Sequence, residues 1–262
     1  MSKLVFITGA SGGLGQALAL RFYQAGYTLA LAGRRVEDIK SWVNAHAISV
    51  ECFQIYSVDV SSPDSMVAAG QRCLALQGVP DVVIAAAGMS VGVDTAERAD
   101  LDLMAQTFMT NNVGTAAAFH PFVAPMRQRG SGALVGIASV NGIRGFAGHG
   151  ANCPSKAAMI SYCECMRLEL KGSGVQVVTI CPGYVATPLT QHNTASMPFL
   201  MQPQAFASRA FDAILSGASY RVIPWQMGIL AKFLRLLPNW AFDKLFAGRA
   251  RKPRRADAAR EA

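Results

Sequence analysis

Short apolar segments alternate with helix-like segments along most of the 262-residue chain. The apolar segments show no regular alternation of polar and apolar side chains, which indicates strands that are buried on both faces. Strands of this kind, alternating with helices, predict an α/β fold in which helices cover both faces of a doubly wound parallel sheet. The predicted strands lie at 4–7, 28–32, 50–56, 82–87, 133–138, 175–180 and 220–223, and the predicted helices include 13–26, 101–129, 152–171 and 203–216.

Composition and charge exclude several classes of protein. No stretch reaches the ~18–20 uninterrupted apolar residues of a membrane-spanning helix, and no signal-peptide pattern is present, so we expect a cytoplasmic protein. The six cysteines and four histidines show no paired metal-ligand spacing, which predicts free thiols and no metal site. Of the formal net charge of +8, a charge of +4 lies in residues 248–262. We expect this segment to be a basic, disordered tail rather than a nucleic-acid-binding face.

A glycine-rich turn lies between the first predicted strand and the first predicted helix. Glycines at such a turn let the backbone approach a pyrophosphate, whose charge is then met by the helix N-terminus. The Thr-Gly-x-x-x-Gly-x-Gly spacing, which begins at Thr8, resembles the short-chain dehydrogenase/reductase (SDR) family. The resemblance covers about residues 3–224 and implies one Rossmann-type domain over 1–224. It assigns these residues to the cofactor site: Gly9, Ser11, Gly13, Leu14 and Gly15.

The end of the second predicted strand indicates which dinucleotide binds. Gly33 is followed by Arg34 and Arg35, and the Asp or Glu that would hold the ribose 2′-hydroxyl of NAD is missing. The two arginines can bind a 2′-phosphate by forked, charge-assisted hydrogen bonds, so NADP(H) is the expected cofactor. The alternative interpretation is two solvated arginines at a helix start. The resemblance assigns further cofactor contacts to Asp59, Val60, Ala87, Gly88, Pro182, Gly183 and Thr187, with Ala85 and Ala86 where the family usually has two Asn.

The family resemblance places the reacting groups between residues 111 and 156. In the family a Tyr donates the proton to a substrate carbonyl, a Lys lowers the pKa of that Tyr, a Ser orients the oxygen and an Asn holds a water. The matching positions here are Ser139, Lys156 and Asn111, and the Tyr position holds Asn152. Because an amide does not ionise near neutral pH, we expect turnover to be impaired or abolished.

Three explanations of Asn152 are compatible with the sequence: an engineered replacement, a natural pseudo-enzyme and a natural enzyme with altered chemistry. His149 and Tyr184 are alternative proton donors, although a solvent-facing His and a loop-packing Tyr are the simpler interpretations. The implied function is oxidoreduction of a carbonyl or secondary alcohol with NADP(H). The alternatives are a non-catalytic NADP(H)-binding sensor and a protein that uses the fold as a scaffold on a lipid surface.

Two further segments suggest partners. A substrate loop at about 188–202 is rich in apolar residues and predicts a hydrophobic substrate. The apolar extension at 225–247 carries Lys232 and Arg235, so it can lie on a membrane surface together with the basic tail, or pack over the cleft or a partner subunit. By resemblance, the helices at 101–129 and 152–171 would pair across subunits in a homodimer or homotetramer.

Overall fold

The computed structural model describes residues 3–191, 196–248 and 251–254 of the protein. In this part of the chain, seven strands form one parallel sheet in the order β3-β2-β1-β4-β5-β6-β7. The strands are β1 (Leu4–Thr8), β2 (Thr28–Gly33), β3 (Phe53–Ser57), β4 (Val82–Ala85), β5 (Gly132–Ile137), β6 (Val175–Pro182) and β7 (Tyr220–Ile223). The α-helices of the described residues are α1 (Gly13–Gln24), α2 (Val36–Ala45), α3 (Pro63–Leu76), α4 (Arg98–Phe108), α5 (Gly114–Arg129), α6 (Asn152–Glu169), α7 (Pro203–Leu215), α8 (Trp225–Leu236) and α9 (Asn239–Phe246). The predicted fold class is confirmed.

Burial on both faces of the sheet explains why its strands read as continuous apolar runs. Val5 and Ile7 of β1 pack into a core with α1, α2 and α7, whereas Leu4 and Phe6 face a second core with α3, α5 and α6. All four side chains are buried. Because neighbouring β1 residues point to opposite faces, each position of this central strand must be apolar.

The strand order reverses direction at β1, where a crevice for a ligand is expected in a sheet of this kind. Thr8, the last residue of β1, pairs with Ala32 of β2 on one side and with Ala85 of β4 on the other. Since all strands are parallel, their carboxyl ends share one edge of the sheet. The segments that follow β1, β2, β4, β5 and β6 therefore meet at this edge.

The helix expected at 101–129 is present as helical backbone from Arg98 to Arg129, but it is not a single α-helix. It is divided into α4 and α5 by a π-helical segment, Met109–Val113, that carries Asn111. The extra residue of a π-turn redirects the side chains that follow, and such turns recur at functional sites. The expected strand at 50–56 also differs at its start, because Val50–Cys52 form a 3₁₀ turn before β3.

The extension at 225–247 forms α8 and α9, and α8 packs along the sheet edge. Met227, Gly228 and Ala231 of α8 are buried, and a methyl group at Gly228 would lie only 3.1 Å from Val222 Cβ in β7. The opposite side of α8 remains exposed. In the described part of the chain, no helix is both long enough and apolar enough to cross a membrane.

Residues 251–254, part of the segment 248–262 that the sequence predicts to be a disordered tail, form ion pairs with the folded domain. Arg254 forms a forked ion pair with Asp100 (Nε–Oδ2 2.7 Å and Nη2–Oδ1 3.2 Å), and Asp100 is only 3% exposed. Arg251 pairs with Asp94 at 2.9 Å. The net charge of the segment could not predict these ion pairs, because the acidic partners lie about 150 residues earlier in the sequence. The rest of the tail, residues 249–250 and 255–262, lies outside the described residues.

Candidate active site

The glycine-rich turn after β1 forms a tightly packed cradle at the N-terminus of α1. Gly9 has a φ of +71°, and a methyl group there would lie 2.7 Å from the backbone nitrogen of Ala87. A methyl group at Gly15 would lie 2.2 Å from Gly9 O. No side chain caps α1 at Gly12, and its first turn contains no acid. The positive end of the helix is therefore left for an anion such as a pyrophosphate.

Two arginine residues follow the end of β2, and one of them contacts the cradle. Arg35 Nη2 donates to Ser11 O at 3.2 Å, while its Nε lies 2.9 Å from Asp38 Oδ2. Arg34 Nη1 lies 3.9 Å from Asp59 Oδ2. Hydrogen bonds from Ser61 are the main cause of a lowered pKa at Asp59. Both guanidinium groups are largely exposed, so they can form further hydrogen bonds.

The segment after β6 returns to the cradle. A methyl group at Gly13 would lie 3.0 Å from Thr187 Cγ2, so Thr187 stands beside the first turn of α1. The Gly183 nitrogen donates to Ile223 O at 2.7 Å, which fixes the start of this segment to β7. The predicted cofactor residues at 9–15 and 182–187 are thus brought together. Four residues of the adjoining substrate loop, 192–195, lie outside the described residues.

Lys156 lies on α6 one helical turn after Asn152. Its Nζ donates to Ile137 O at 2.9 Å, at the end of β5. Burial lowers the pKa of Lys156 to about 8, because desolvation disfavours the ammonium form. A methyl group at Gly88 would lie 3.6 Å from this Nζ and 3.2 Å from Asn111 Oδ1. Gly88 therefore leaves room beside both polar groups.

Asn111 ties the π-turn to the loop after β4 and to α6. Its Oδ1 accepts from the Met89 nitrogen at 2.9 Å, and its Nδ2 donates to Met89 O at 3.0 Å and to Ser155 Oγ at 2.9 Å. Asn112 adds a second link to α6, since its Nδ2 donates to Ser155 O at 2.8 Å. These bonds hold Asn111 rigidly, and the π-turn is what aims it at α6.

Ser139 and Asn152 occupy the ends of the loop between β5 and α6. The Ser139 hydroxyl accepts from the Asn141 nitrogen at 3.1 Å, which leaves its own proton free to be donated. Asn152 is 4% exposed and is the first residue of α6. Its backbone O accepts from Ser155 Oγ at 2.9 Å, while its amide forms no hydrogen bond with the other described residues.

A cavity of about 720 Å³ lies apart from Ser139 and Lys156. It lies between α6 and α8 and is lined by residues such as Ile143, Ile160 and Lys232. Neither Ser139 nor Lys156 contributes to its wall. We assign the reacting end from hydrogen-bonding groups rather than from cavity size, because the cavity lacks the cradle and its partners.

Comparisons with known proteins show the family of the chain. The sequence model of the family described as "short chain dehydrogenase" matches residues 3–198. The chain belongs to this family. The SDR chain is 34% identical to an "Uncharacterized oxidoreductase" of Myxococcus xanthus (strain DK1622), over 92% of its own length and 95% of that protein. It is therefore an oxidoreductase of a family that uses nicotinamide cofactors.

Two other comparisons are more limited in what they show. A "Dehydrogenase/reductase SDR family protein 7-like" of Anopheles gambiae is 33% identical over 72% of the SDR chain, which spans 61% of that longer protein. The solved structure described as "ElxO with NADP Bound" has a TM-score of 0.77 at 22% identity, covering 85% of this chain and 97% of the other. At this level of identity the likeness shows the fold.

The two alternative proton donors of the SDR chain have unfavourable surroundings. Burial, together with the nearby charge of Lys252, lowers the pKa of His149 to about 4, so this imidazole is neutral at pH 7. Burial and the neighbouring Cys153 raise the pKa of Tyr184. A neutral His and a Tyr that holds its proton more tightly are both weaker general acids than the role requires.

Sequence analysis missed several residues that the fold brings to the site. Ser155 and Asn112 complete the network around Asn111, and Lys252 of the tail donates to Ser90 in the loop after β4. Helix spacing could have indicated Ser155, since it precedes Lys156 on the same turn. No local signal connects Lys252 with Ser90, which is 162 residues away. Among the described residues, no three His, Cys, Asp or Glu side chains converge as a metal site would require.

Proposed function

We propose that this SDR chain is an NADP(H)-dependent oxidoreductase that acts on a carbonyl or secondary alcohol, with turnover impaired or abolished by Asn152. The observation that carries the proposal is the position of Asn152. It is buried at the head of α6, four residues before Lys156 and at the end of the loop that begins with Ser139. A proton donor belongs at this point of the site, and an amide cannot release a proton.

The glycine cradle supports binding of a dinucleotide. Side chains at Gly9 or Gly15 would clash with the backbone, and the uncapped start of α1 suits a pyrophosphate. Arg34 and Arg35 favour NADP(H) over NAD(H), because both guanidinium groups are largely exposed, Arg35 beside Ser11 and Arg34 beside Asp59. When bound, the cofactor would supply or accept the hydride.

The roles of the chain's own residues follow from their contacts. Ser139 can donate its hydroxyl proton in a hydrogen bond to a substrate oxygen and so orient it. Lys156, held by Ile137 O, places a cationic ammonium beside Gly88 and Asn111. The Asn152 amide can donate a hydrogen bond to the same oxygen. Because this amide cannot release a proton, the alkoxide formed by reduction would have no proton source. The substrate would still be bound and oriented, but its oxygen would not be protonated.

The substitution Asn152→Tyr tests this assignment. We expect NADPH oxidation with a panel of ketones to rise by about 10²–10⁴-fold, which is the usual contribution of a general acid. As a control, Lys156→Met in the Asn152→Tyr background should remove most of the gain, since the phenol then lacks its neighbouring cation. The proposal fails if the natural chain already turns over as fast as the Asn152→Tyr variant.

The second candidate is a non-catalytic NADP(H) sensor, which the buried amide also favours. In that case the protein binds NADPH but shows no turnover with any ketone, even after Asn152→Tyr. Both candidates bind NADPH, so the turnover of the Asn152→Tyr variant separates loss of one catalytic group from a site adapted to sensing. A chain that binds no NADPH would overturn both candidates.

The substrate loop supports a hydrophobic substrate. Its described residues include Leu189, Phe199 and Leu200, all of which are exposed. The Met201 nitrogen donates to Tyr184 O at 3.0 Å, which fixes the far end of the loop next to the segment after β6. Apolar side chains held at the open edge of the sheet favour a substrate with a substantial apolar part.

We also propose that the protein is cytoplasmic and contacts a membrane surface through α8 and α9. The six cysteines are free, as in a reducing compartment. The exposed side of these helices is apolar and aromatic, and Lys232 and Arg235 are exposed nearby. The tail adds less charge than its composition suggests, because Arg251 and Arg254 are paired with acids. The exposed apolar residues are Trp225, Ile229, Leu230, Phe233, Leu236, Trp240 and Leu245.

Homo-oligomer formation is a further proposal, supported by the surfaces of α5 and α6. These helices, with α3, border a groove of about 540 Å³. Val113, Val123 and Tyr162 line it, and Val113 is exposed. Apolar side chains on adjacent exposed helices suit pairing with a second copy.

A further inference from the structure

Residues 251–254, here called the strap, lie across two loops that flank the reacting end. These are the loop after β4, which contains Ser90 and Gly92, and the loop between β5 and α6, which contains Gly148. The backbone nitrogen of Lys252 donates to the backbone oxygen of Ala147 in the second loop. Arg254 forms a parallel β-bridge with Gly92 in the first loop. The strap therefore connects the loops on either side of the cleft.

Two glycines make this close approach feasible. A methyl group at Gly92 would lie 2.0 Å from Pro253 O, and one at Gly148 would lie 2.6 Å from the Lys252 nitrogen. Any other residue at either position would push the strap away. The ion pair of Arg254 with buried Asp100 fixes its end. The strap is therefore held against the domain by close packing and by an ion pair.

The three described cations of the strap differ in their partners. Arg251 pairs with Asp94, and Arg254 pairs with Asp100 and Glu97. Lys252 lies between them and is half-buried, yet its Nζ donates only to the Ser90 hydroxyl and has no carboxylate partner in the described part of the chain. A half-buried ammonium without a counter-ion favours binding of an anion.

His149, near Lys252, has a buried nitrogen, Nδ1, without a hydrogen-bond partner among the described residues. The charge of Lys252 acts on both His149 and Cys153, so these three groups are neighbours. Cys153 follows Asn152 directly, and Ser90 follows Met89, which holds Asn111. Lys252 and His149 therefore lie at the rim of the reacting end.

We propose that Lys252, with Ser90 and His149, binds a carboxylate of the substrate, which would be an acid with an otherwise apolar body. The carboxylate would accept hydrogen bonds from the Lys252 ammonium and the Ser90 hydroxyl, and from His149 Nδ1 when that atom carries the imidazole proton. The apolar part would lie towards the substrate loop. This inference rests on the proposed function, because it names the substrate class of the same site.

Binding of decanoate, decanamide and acetate to the full chain, with and without NADP⁺, tests the inference by calorimetry without turnover. We expect decanoate to bind most tightly, because decanamide lacks the charge and acetate lacks the apolar chain. Lys252→Met should weaken decanoate binding by about 10–100-fold, which is the usual contribution of a hydrogen bond to a charged group. Lys252→Arg should keep affinity within a few-fold, and Lys171→Met, which removes an exposed charge elsewhere, should leave it unchanged.

Three results would overturn the inference. Decanoate could bind Lys252→Met as tightly as the natural chain, decanamide could match decanoate, or Lys171→Met could weaken binding equally. An unfolding curve for Lys252→Met that matches the natural chain assigns the lost affinity to the ammonium. If Lys252→Met unfolds at a lower denaturant concentration than the natural chain, the test uses Lys252→Arg and Ser90→Ala in their folded states instead. The ratio of decanoate affinity to decanamide affinity in these two variants then decides whether the carboxylate is recognised. Failure to bind NADP⁺ would refute the proposed function alone, since decanoate is also measured without it.

Discussion

The exposed side of α8 allows a quantitative test of membrane contact. Trp225, Ile229, Phe233 and Leu236 recur at helical spacing on one side of the helix, and none of them is buried. Phe233 is 58% exposed and Leu236 is 83% exposed. Full burial of such a side chain contributes about 1.5–3 kcal/mol. Insertion of the exposed parts of these two residues would therefore contribute roughly 2–4 kcal/mol.

The double substitution Phe233→Ser and Leu236→Ser should remove this contribution. We expect partition onto vesicles of phosphatidylcholine with a minority of phosphatidylserine to fall by about thirty- to several-hundred-fold, as measured by co-sedimentation. The free energy of unfolding should change by less than about 0.5 kcal/mol for each site, because both side chains are already exposed. Added salt should weaken binding of the natural chain, since Lys232 and Arg235 contribute electrostatic attraction.

A matched control substitutes two exposed leucines that lie outside α8 and α9. Leu76 at the end of α3 is 62% exposed and Leu168 in α6 is 63% exposed, so changing both to Ser removes comparable apolar area. Vesicle binding of this control should equal that of the natural chain. Equal binding by the α8 variant would refute the reasoning. A change in oligomeric state with unaltered vesicle binding would assign the surface to a second copy instead.

Two further predictions concern charge at the site. The substitutions Arg34→Ala and Arg35→Ala together should weaken NADPH binding by about 10–100-fold, in line with loss of charge-assisted hydrogen bonds, and leave NADH binding nearly unchanged. Fluorescence titration measures both affinities, Arg98→Ala is the control, and equal loss for the two dinucleotides would contradict NADP(H) selectivity. His149 has a folded-state pKa of about 4, below its ordinary value of 6.5, so the unfolded chain binds more protons between these values. Stability should therefore fall as pH drops from about 6.5 to 4, by roughly 1–2 kcal/mol after allowance for partial exposure. Denaturant unfolding across this range should show a shallower loss for His149→Gln, and an equal loss would refute the assignment.

Much of the fold could be predicted from the sequence because its signals are local. A strand that is buried on both faces must be apolar at each position, as in β1, and a turn that approaches a backbone closely must contain glycine, as at Gly9 and Gly15. Such constraints act within a few residues and are therefore visible in the order of residues alone. The spacing from Ser139 to Lys156 could likewise be found in the sequence, because it depends only on the order of residues along the chain.

Other features depend on contacts between distant segments. The π-turn at Met109–Val113 divides a helix whose local pattern looks continuous, and it is held by hydrogen bonds from Asn111 to the loop after β4 and to α6. Helix periodicity contains no information about those partners. The cavity of about 720 Å³ is likewise formed by α6 and α8, which are separated in the chain.

The sequence by itself determined the family, the parallel sheet and the amide at position 152, because each depends on residue identity or local spacing. Only the tertiary structure decided that the tail returns to the site. Asp100 and Arg254 are 154 residues apart, and an ion pair at that separation forms only once the sheet has brought the loops after β4 and β5 together. The same packing of residues 251–254 places Lys252 beside Ser90 at the rim of the reacting end.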